Sequence, residues 1–312
     1  MRFDQSSPAC ASDDDALRPE RWFRLPAIRI FSLSYCDGAP CARAWDTDIA
    51  HGLERVLDLA DTLPIAAVNM SLGGGRFFSP CDGNNPMMTA LVQNLRAAGI
   101  ATVVASGNSG YTTSMSSPAC ISSAISVGST TDGSSSESTP ADEVSYFSNA
   151  AHFLSLLAPG QVVTSSIPGG GFDTYQGTSM ATPHVAGAWA IAKQANPAAT
   201  VDEVLAGLRN TGKRIVDPGN GLPFYRIAST LLQFSASAYS VGETAGVTNV
   251  MCCASTTSAP VPAWPPIRTV CPARKPVPTS VIVWPPALDP PRIGWDAASR
   301  RSVTVGSGTY TK

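Results

Sequence analysis

The sequence predicts an α/β fold in which a parallel β-sheet is flanked by helices, over residues 27–230. Short, wholly apolar runs typical of buried strands alternate with segments whose apolar residues repeat at helical spacing. The chain has 312 residues, of which 44% are hydrophobic and 14% charged, enough for one sizeable core plus an appendage. Pattern and size together favour one large α/β domain, which the motifs below indicate is incomplete, followed by a C-terminal tail of strand and disorder.

The first half of the domain reads as strand, helix and strand. Residues 1–26 show neither a helical nor a strand period and stay unassigned. The apolar run in "PAIRIFSLS" predicts the first strand, and "TDIAHGLERVLDLAD" predicts a helix whose inner face contains Ile49, Leu53 and Val56. The run "IAAVNMSLGGG" predicts a buried strand that ends in glycines.

The second half repeats the alternation. The amphipathic "MMTALVQNLRAAGI" predicts a helix that stops near Gly99, followed by the buried strand "IATVVAS". The runs "AISVGST" and "FLSLLAPG" predict two more strands, and "MATPHVAGAWAIAKQANP" and "TVDEVLAGLRNTG" predict the last two helices.

The composition changes after about residue 230. Alternating apolar residues in 231–250 predict one antiparallel strand. Residues 251–312 are so rich in proline that neither a helix nor a central strand is expected, and this region is predicted to be disordered.

Charge and hydropathy exclude two classes of partner. The net charge is -2 and the pI is about 5.9, with no basic cluster, so nucleic acid is not an expected partner. No apolar run reaches the roughly 18 residues that span a bilayer, so no membrane partner is expected either. The first twenty residues carry acids where a secretory signal would have its apolar segment, and no signal peptide is predicted.

Eight cysteines are more than a reduced cytosolic domain usually keeps. None of their spacings is the CxxC pair that zinc sites favour, so disulfides are the preferred interpretation over zinc. We predict the pairs Cys36 with Cys41 and Cys81 with Cys120. Such bonds are typical of exported proteins.

The string "GTSMATPHVAG" at residues 177–187 is the strongest candidate for chemistry. Ser179 precedes a helix, whose dipole and free N–H groups attract developing negative charge. Gly177 allows a substrate backbone to come close, and Pro183 is expected in the first helical turn. In a second string, "VVASGN", the Asn108 amide could donate to an oxyanion together with the Ser179 N–H, although a loop Asn is more often a turn former.

These strings resemble the subtilisin-like serine proteases, whose serine motif is matched completely. The resemblance covers about residues 27–230 and implies a serine endopeptidase in which Ser179 is the nucleophile and Asn108 the oxyanion-hole donor. It also implies that a peptide or protein substrate lies between two segments, Ser71, Leu72 and Gly73 on one side and Ala105, Ser106 and Gly107 on the other. Phe77 and Phe78 are candidates for a hydrophobic subsite, although adjacent loop aromatics more often only pack.

Relatives of this family are secreted, so a secreted or extracytoplasmic location is implied for the intact relative. No cofactor is expected. Family members commonly hold structural calcium at a site drawn from N-terminal residues, but no metal ligand carries over to this chain. Residues 231–250 further resemble the opening strand of a Calx-beta domain.

The family's catalytic Asp and His motifs are missing. No "DTG" or "DSG" occurs, and each of the three histidines is predicted to lie elsewhere. His51 falls on the polar side of its helix, His152 is expected at the surface, and His184 lies about 140° around its helix from Ser179. The chain therefore reads as the C-terminal part of a catalytic domain, with little or no turnover expected.

Two alternatives remain open at this point. The chain could be a complete pseudoprotease that binds peptides without cleaving them, or a hydrolase with another base, for which no candidate residue is found. In the resembled fold the strand carrying the Asp lies inside the sheet, so its loss predicts unpaired neighbouring strands and poor solubility.

Overall fold

A computed structural model describes residues 22–36, 39–133, 140–167 and 170–227, and the backbone of five further strands between residues 233 and 311. The helices are α1 (Asp46–Ala60), α2 (Pro86–Ala97), α3 (Thr178–Ala195) and α4 (Val201–Thr211). The strands are β1 (Trp22–Leu25), β2 (Ser32–Cys36), β3 (Ala39–Arg43), β4 (Ile65–Met70), β5 (Gly74–Phe77), β6 (Ala101–Ala105), β7 (Met115–Ser117), β8 (Ile125–Asp132), β9 (Ala141–Val144), β10 (Leu156–Pro159), β11 (Val163–Ser166), β12 (Phe172–Tyr175), β13 (Lys213–Val216), β14 (Pro223–Arg226), β15 (Gln233–Phe234), β16 (Thr248–Cys253), β17 (Thr279–Val283), β18 (Ser302–Val305) and β19 (Gly308–Thr311).

One large sheet organises the described part of the chain. Its strands follow the order β13-β14-β10-β8-β6-β4-β17-β1-β16-β15, with β9 paired to β8. All pairs from β14 to β1 are parallel, while β13–β14, β8–β9, β1–β16 and β15–β16 are antiparallel. The predicted α/β fold with a mainly parallel sheet is confirmed.

The strands β4 and β6 lie in the interior of this sheet. Every residue of both strands is buried, as their mainly apolar sequences predict, including the polar Asn69 and Thr102. Because both strands are parallel and adjacent, their carboxyl ends reach the same edge of the sheet. The segments that follow them, Ser71–Gly73 and Ser106–Asn108, therefore lie near each other.

Helices cover both faces of the sheet. The buried side of α1, with Ile49, Leu53 and Val56, packs in one core with α2, while α3 and α4 pack in a second core against β6, β8 and β10. The α2 helix begins with the Asn85 side chain accepting from the Met88 N–H at 3.1 Å. It ends before Gly99, whose φ of +76° matches the predicted glycine stop.

Both predicted disulfides are present. Cys36 pairs with Cys41 across the β2–β3 hairpin, and Cys81 pairs with Cys120. The second bond joins the loop before α2 to the segment after β7, so it tethers chain regions 39 residues apart. Both residues of that bond are buried in the core beneath α1 and α2.

The pairing of β17 with β4 differs from what the sequence predicts, namely that strands beside the missing Asp-bearing strand would be unpaired. It runs parallel to β4 along the register Ser280↔Ala67 to Val283↔Met70. The expectation that strands would be left unpaired is therefore wrong for β4. The expectation of no central strand in residues 251–312 is also wrong, because the β-branched segment Thr279–Val283 lies inside the large sheet.

The remaining predictions for the termini stay predictions. Residues 1–21 lie outside the described residues, as do most of 231–250 and of the proline-rich 251–312. Within these last two ranges only the backbones of β15 to β19 are described, so neither the Calx-beta-like strand nor disorder of the tail is tested.

The capping box of α4 offers a test of the fold. Thr200 accepts from the Glu203 N–H at 3.2 Å, and Glu203 accepts from the Thr200 N–H at 2.7 Å. We expect Thr200→Ala to lower the free energy of unfolding by about 1 kcal/mol in urea denaturation, because one helix N–H loses its acceptor. Thr113→Ala, which removes an exposed hydroxyl with no described hydrogen bond, is the control. Equal stability of the two variants would contradict the capping role.

Candidate active site

Ser179 lies in the first turn of α3, directly after the N-cap residue Gly177 and Thr178. The residue is 5% exposed, and its Oγ donates to the Ser71 carbonyl at 3.4 Å, a long hydrogen bond. The Ser179 backbone N–H has no acceptor among the described residues, as expected for the first turn of a helix. The hydroxyl and the free N–H therefore lie together at the positive end of the α3 dipole.

Asn108 lies beside this helix start, as the sequence predicts. Its Oδ1 accepts from both the N–H and the hydroxyl of Thr178, each at 2.8 Å. This pair of bonds orients the amide with its Oδ1 toward Thr178, so the Nδ2 group points away from Thr178. No described residue accepts from that Nδ2.

Gly177 keeps a space open between the two free donors. A β-carbon built at Gly177 would be 3.2 Å from the Asn108 Nδ2 and 3.6 Å from the Ser179 backbone nitrogen. Its φ of +153° lies in the region that side chains rarely adopt. An oxygen atom in this space could accept from both donors, which is the geometry that stabilises an oxyanion.

The position of Pro183 corrects one prediction. The sequence suggests a first-turn proline, but Pro183 is the sixth residue of α3 and lies inside the helix. It has no N–H to donate to the Ser179 carbonyl four residues earlier. The Ser71 hydroxyl donates to that carbonyl at 2.8 Å instead, so the proline creates the link between α3 and the segment after β4.

The segment Ser71–Gly73 leaves β4 directly beneath Ser179. The Ser71 hydroxyl in turn accepts from the buried Asn69 Nδ2 at 3.1 Å. At Gly73, a β-carbon would lie 3.0 Å from the Ser117 carbonyl, so a side chain would fit there only if the backbone of β7 shifted slightly. The predicted segment is therefore tied to Ser179 and closely packed at its far end.

The segment Ala105–Gly107 lies next to the site, but its hydrogen-bonding groups are largely used within the protein. The Ser106 N–H donates to the Val127 carbonyl, and the Ser106 carbonyl accepts from the Ser116 N–H. The Gly107 N–H donates to the Thr178 hydroxyl at 3.2 Å. This segment can contact a peptide, although Ser106 and Gly107 have few free groups with which to pair with it.

Asn149 is a site residue that sequence reasoning missed. Its Oδ1 accepts from the N–H groups of Ser109 and Tyr111, at 2.9 and 3.1 Å. Its Nδ2 donates to the Ser106 carbonyl at 3.1 Å and reaches the Ser116 hydroxyl at 3.3 Å. This fully buried amide therefore holds the loop around Asn108 from both sides. Its sequence context, "FSNAAHF", carries no motif that predicts this role.

None of the three histidines serves Ser179. His51 is exposed on α1 and His152 is exposed in a turn, as predicted. The Nδ1 of His184 lies 2.8 Å from the Met180 carbonyl, so this side chain bonds along its own helix. No described histidine or carboxylate forms a hydrogen bond with the Ser179 hydroxyl.

The described residues contain no group of three or more His, Cys, Asp or Glu that could hold a metal ion. Among the same residues, no helix is both long and apolar enough to cross a membrane. The calcium expected for an intact relative stays a prediction.

Comparison with known proteins decides the family. Residues 28–229, within the predicted 27–230, match the Subtilase family (Peptidase_S8). The chain belongs to the subtilase family. The resemblance inferred from the serine motif is thus confirmed.

Individual subtilases are similar over part of their length. An alkaline elastase YaB from Bacillus sp. (strain YaB) is 35% identical over 164 residues, which cover 53% of this chain and 39% of the relative. A subtilisin from Bacillus pumilus is 37% identical over 147 residues, covering 46% and 48%. An extracellular serine proteinase from Thermus sp. (strain Rt41A) is 39% identical over 145 residues, covering 46% and 32%.

A solved cold-adapted subtilisin-like serine proteinase shares 30% identity at a TM-score of 0.49, covering 62% of this chain and 63% of that structure. The chain spans about a third to a half of the length of the curated subtilases named above.

Burial of His184 predicts a pH dependence of stability. Burial lowers the pKa of His184 below its ordinary 6.5, and the positive charge of Arg226 adds to this effect against the opposing bond to Met180. The unfolded chain therefore binds more protons than the folded chain as the pH falls below 6.5, so stability is lost in that direction.

We expect His184→Gln to lose less stability than the parent chain when urea denaturation at pH 5 is compared with pH 7.5. His152→Gln, which alters an exposed imidazole, is the matched control and should follow the parent. An unchanged acid loss in His184→Gln would contradict this cause.

Removal of the Asn149 amide should lower the free energy of unfolding. Asn149→Ala leaves the N–H groups of Ser109 and Tyr111 without acceptors, so we expect about 3 kcal/mol less stability. Asn84→Ala, at an exposed asparagine with no described side-chain bond, should change stability by less than about 0.5 kcal/mol. Chemical denaturation of both variants measures the difference, and similar values would argue against Asn149 as the support of the loop.

Proposed function

We propose that this chain carries the nucleophile and the oxyanion hole of a subtilisin-like serine endopeptidase. Ser179 would attack the peptide carbonyl and form the acyl-enzyme. The Asn108 Nδ2 and the Ser179 N–H would stabilise the negative charge on the carbonyl oxygen. The observation that carries this proposal is that these two free donors both lie close to the position that a side chain at Gly177 would occupy.

Attack by Ser179 requires a base that takes the hydroxyl proton. The present acceptor of that hydroxyl is the Ser71 carbonyl, which is far too weak a base. All three histidines are engaged or exposed elsewhere. We therefore propose that these 312 residues alone have little or no hydrolytic turnover, and that an Asp and a His supplied by further family elements would complete the site.

The substrate would be an extended peptide or protein segment. We propose that it lies alongside Ser71, Leu72 and Gly73, since an extended peptide can pair with protein backbone as an added strand. The opposite segment, Ala105, Ser106 and Gly107, would contact the peptide without forming new backbone hydrogen bonds of the kind that pair strands. The two disulfides support a secreted or extracytoplasmic location for the intact relative.

A peptide-binding pseudoprotease is the second candidate function. The observation that favours it is an ordered substrate segment beside a serine that has no described base. Such a protein would bind peptides through Ser71–Gly73 without cleaving them.

Fluorophosphonate labelling of the purified 312-residue chain separates these functions, because the reaction requires an activated serine. We expect no labelling above that of the Ser179→Ala control from a sample shown by circular dichroism to be folded, because nothing described takes the proton from Ser179.

Labelling that disappears in Ser179→Ala would establish a base within the chain and contradict the proposed inactivity. It would also exclude the pseudoprotease. Addition of a segment carrying the family's Asp and His motifs should restore labelling at Ser179 if the chain is part of an endopeptidase. Continued absence of labelling in a folded complex would favour the binding protein.

A further inference from the structure

Arg76 in β5 lies between two aromatic rings. Its guanidinium carbon is 4.1 Å from the centre of the Tyr111 ring and 4.8 Å from that of Phe78. Both distances are within the range of cation–π attraction. The Arg76 Nε also donates to the buried hydroxyl of Ser114 at 3.1 Å. The side chain is therefore held at three points although it is exposed to solvent.

The positive charge of this side chain is unpaired in the described part of the chain. The ion pairs there involve other cations, at Arg55, Arg96, Lys213 and Arg226. The Nε bond to Ser114 leaves the two Nη groups without a described acceptor. A guanidinium that is fixed in place but keeps two free donor groups matches the geometry of a carboxylate.

Both walls of the stack are connected to the proposed active site. The strand β5 begins directly after Gly73 and pairs with β7 through Gly74↔Ser117 and Phe77↔Met115. Tyr111 belongs to the loop that carries Asn108, and its N–H is held by Asn149. Arg76 therefore lies where the substrate segment and the oxyanion loop meet.

We infer that Arg76 is a binding site for a carboxylate of the peptide held along Ser71–Gly73. The inference rests on the proposed peptide groove and adds a charge preference to it. The rings of Phe78 and Tyr111 restrict the guanidinium before the peptide arrives, which reduces the entropy lost on binding. The carboxylate comes from an acidic side chain or from a free peptide C-terminus, because the guanidinium recognises both equally.

The exposed ring of Phe78 has a role in this arrangement. The sequence left open whether Phe77 and Phe78 form a subsite or only pack. Phe77 is partly buried against the core beneath α1 and α2, whereas Phe78 is 59% exposed and contacts Arg76. Of the two aromatics, Phe78 is therefore the more accessible to a ligand.

The test measures equilibrium binding of fluorescent alanine-rich hexapeptides to the full chain carrying Ser179→Ala. One pair of peptides differs by a single Glu or Gln, moved through each position, and a second pair ends in a free carboxylate or an amide. In the parent background we expect the carboxylate member to bind about five- to tenfold more tightly, as an exposed charge-assisted contact allows.

We expect Arg76→Gln to abolish this preference while it leaves the affinity for the neutral peptides unchanged. Arg76→Lys should retain part of it, because the charge remains without the planar guanidinium. Arg55→Gln, which removes an exposed arginine on α1, is the matched control and should behave like the parent.

Several outcomes would overturn the inference. Equal binding of Glu and Gln peptides together with equal binding of both C-terminal forms would show that Arg76 selects no carboxylate, while the peptide groove itself would stand. If Arg55→Gln also loses the preference for carboxylate peptides, the preference would come from the net charge of the protein and not from Arg76. If none of the peptides binds to the folded chain, the proposed groove and this inference are both wrong.

Discussion

The hydrogen bond from the Ser71 hydroxyl to the Ser179 carbonyl is the contact on which the arrangement of the site depends. It exists because Pro183 cannot donate to that carbonyl, so one acceptor inside α3 is released from the helix. A helix normally uses such a carbonyl internally. Here the same atom joins α3 to the end of β4, which fixes Ser179 relative to Ser71–Gly73.

A second connection joins the same helix start to the end of β6. Thr178 donates twice to Asn108, and Asn149 holds the loop on its other side. Two parallel strands thus deliver their C-terminal loops to one helix N-terminus, each through a short-range polar contact. The free donors at Ser179 and Asn108 are held by contacts that do not use them, so they remain available to a ligand.

Much of this site was predictable because its parts are contiguous in sequence. The serine motif, the glycine before it and the "ASGN" string each predict local backbone geometry, and the buried runs of β4 and β6 predict where they meet. Asn149 could not be predicted in this way. Its four hydrogen-bonding partners lie between 33 and 43 residues away, and nothing local distinguishes it from an ordinary loop asparagine.

The same limit explains two other differences. The role of Pro183 depends on the Ser71 side chain, more than one hundred residues earlier. The general preference of proline for the first helical turn therefore predicted the wrong position within α3. The pairing of β17 with β4 depends on sheet neighbours that are distant in the chain. The β-branched residues of "TSVIV" favour a strand, but the many prolines around this segment predict none. In both cases the structure depends on a partner that is distant in sequence and that the local pattern does not reveal.

The N-cap glycine of α3 provides no side chain to stabilise the helix start, but it leaves room for a ligand beside it. Most helices gain stability from a side chain at this position, as α4 does from Thr200 and α2 from Asn85. A capping side chain at residue 177 would enter the space beside the Asn108 Nδ2. The Asn108 side chain accepts from the Thr178 N–H, but the Ser179 N–H has no described acceptor, so a carbonyl oxygen bound as proposed would also stabilise the helix start. A more stable α3 start at this residue would therefore come with the loss of the space beside the two donors.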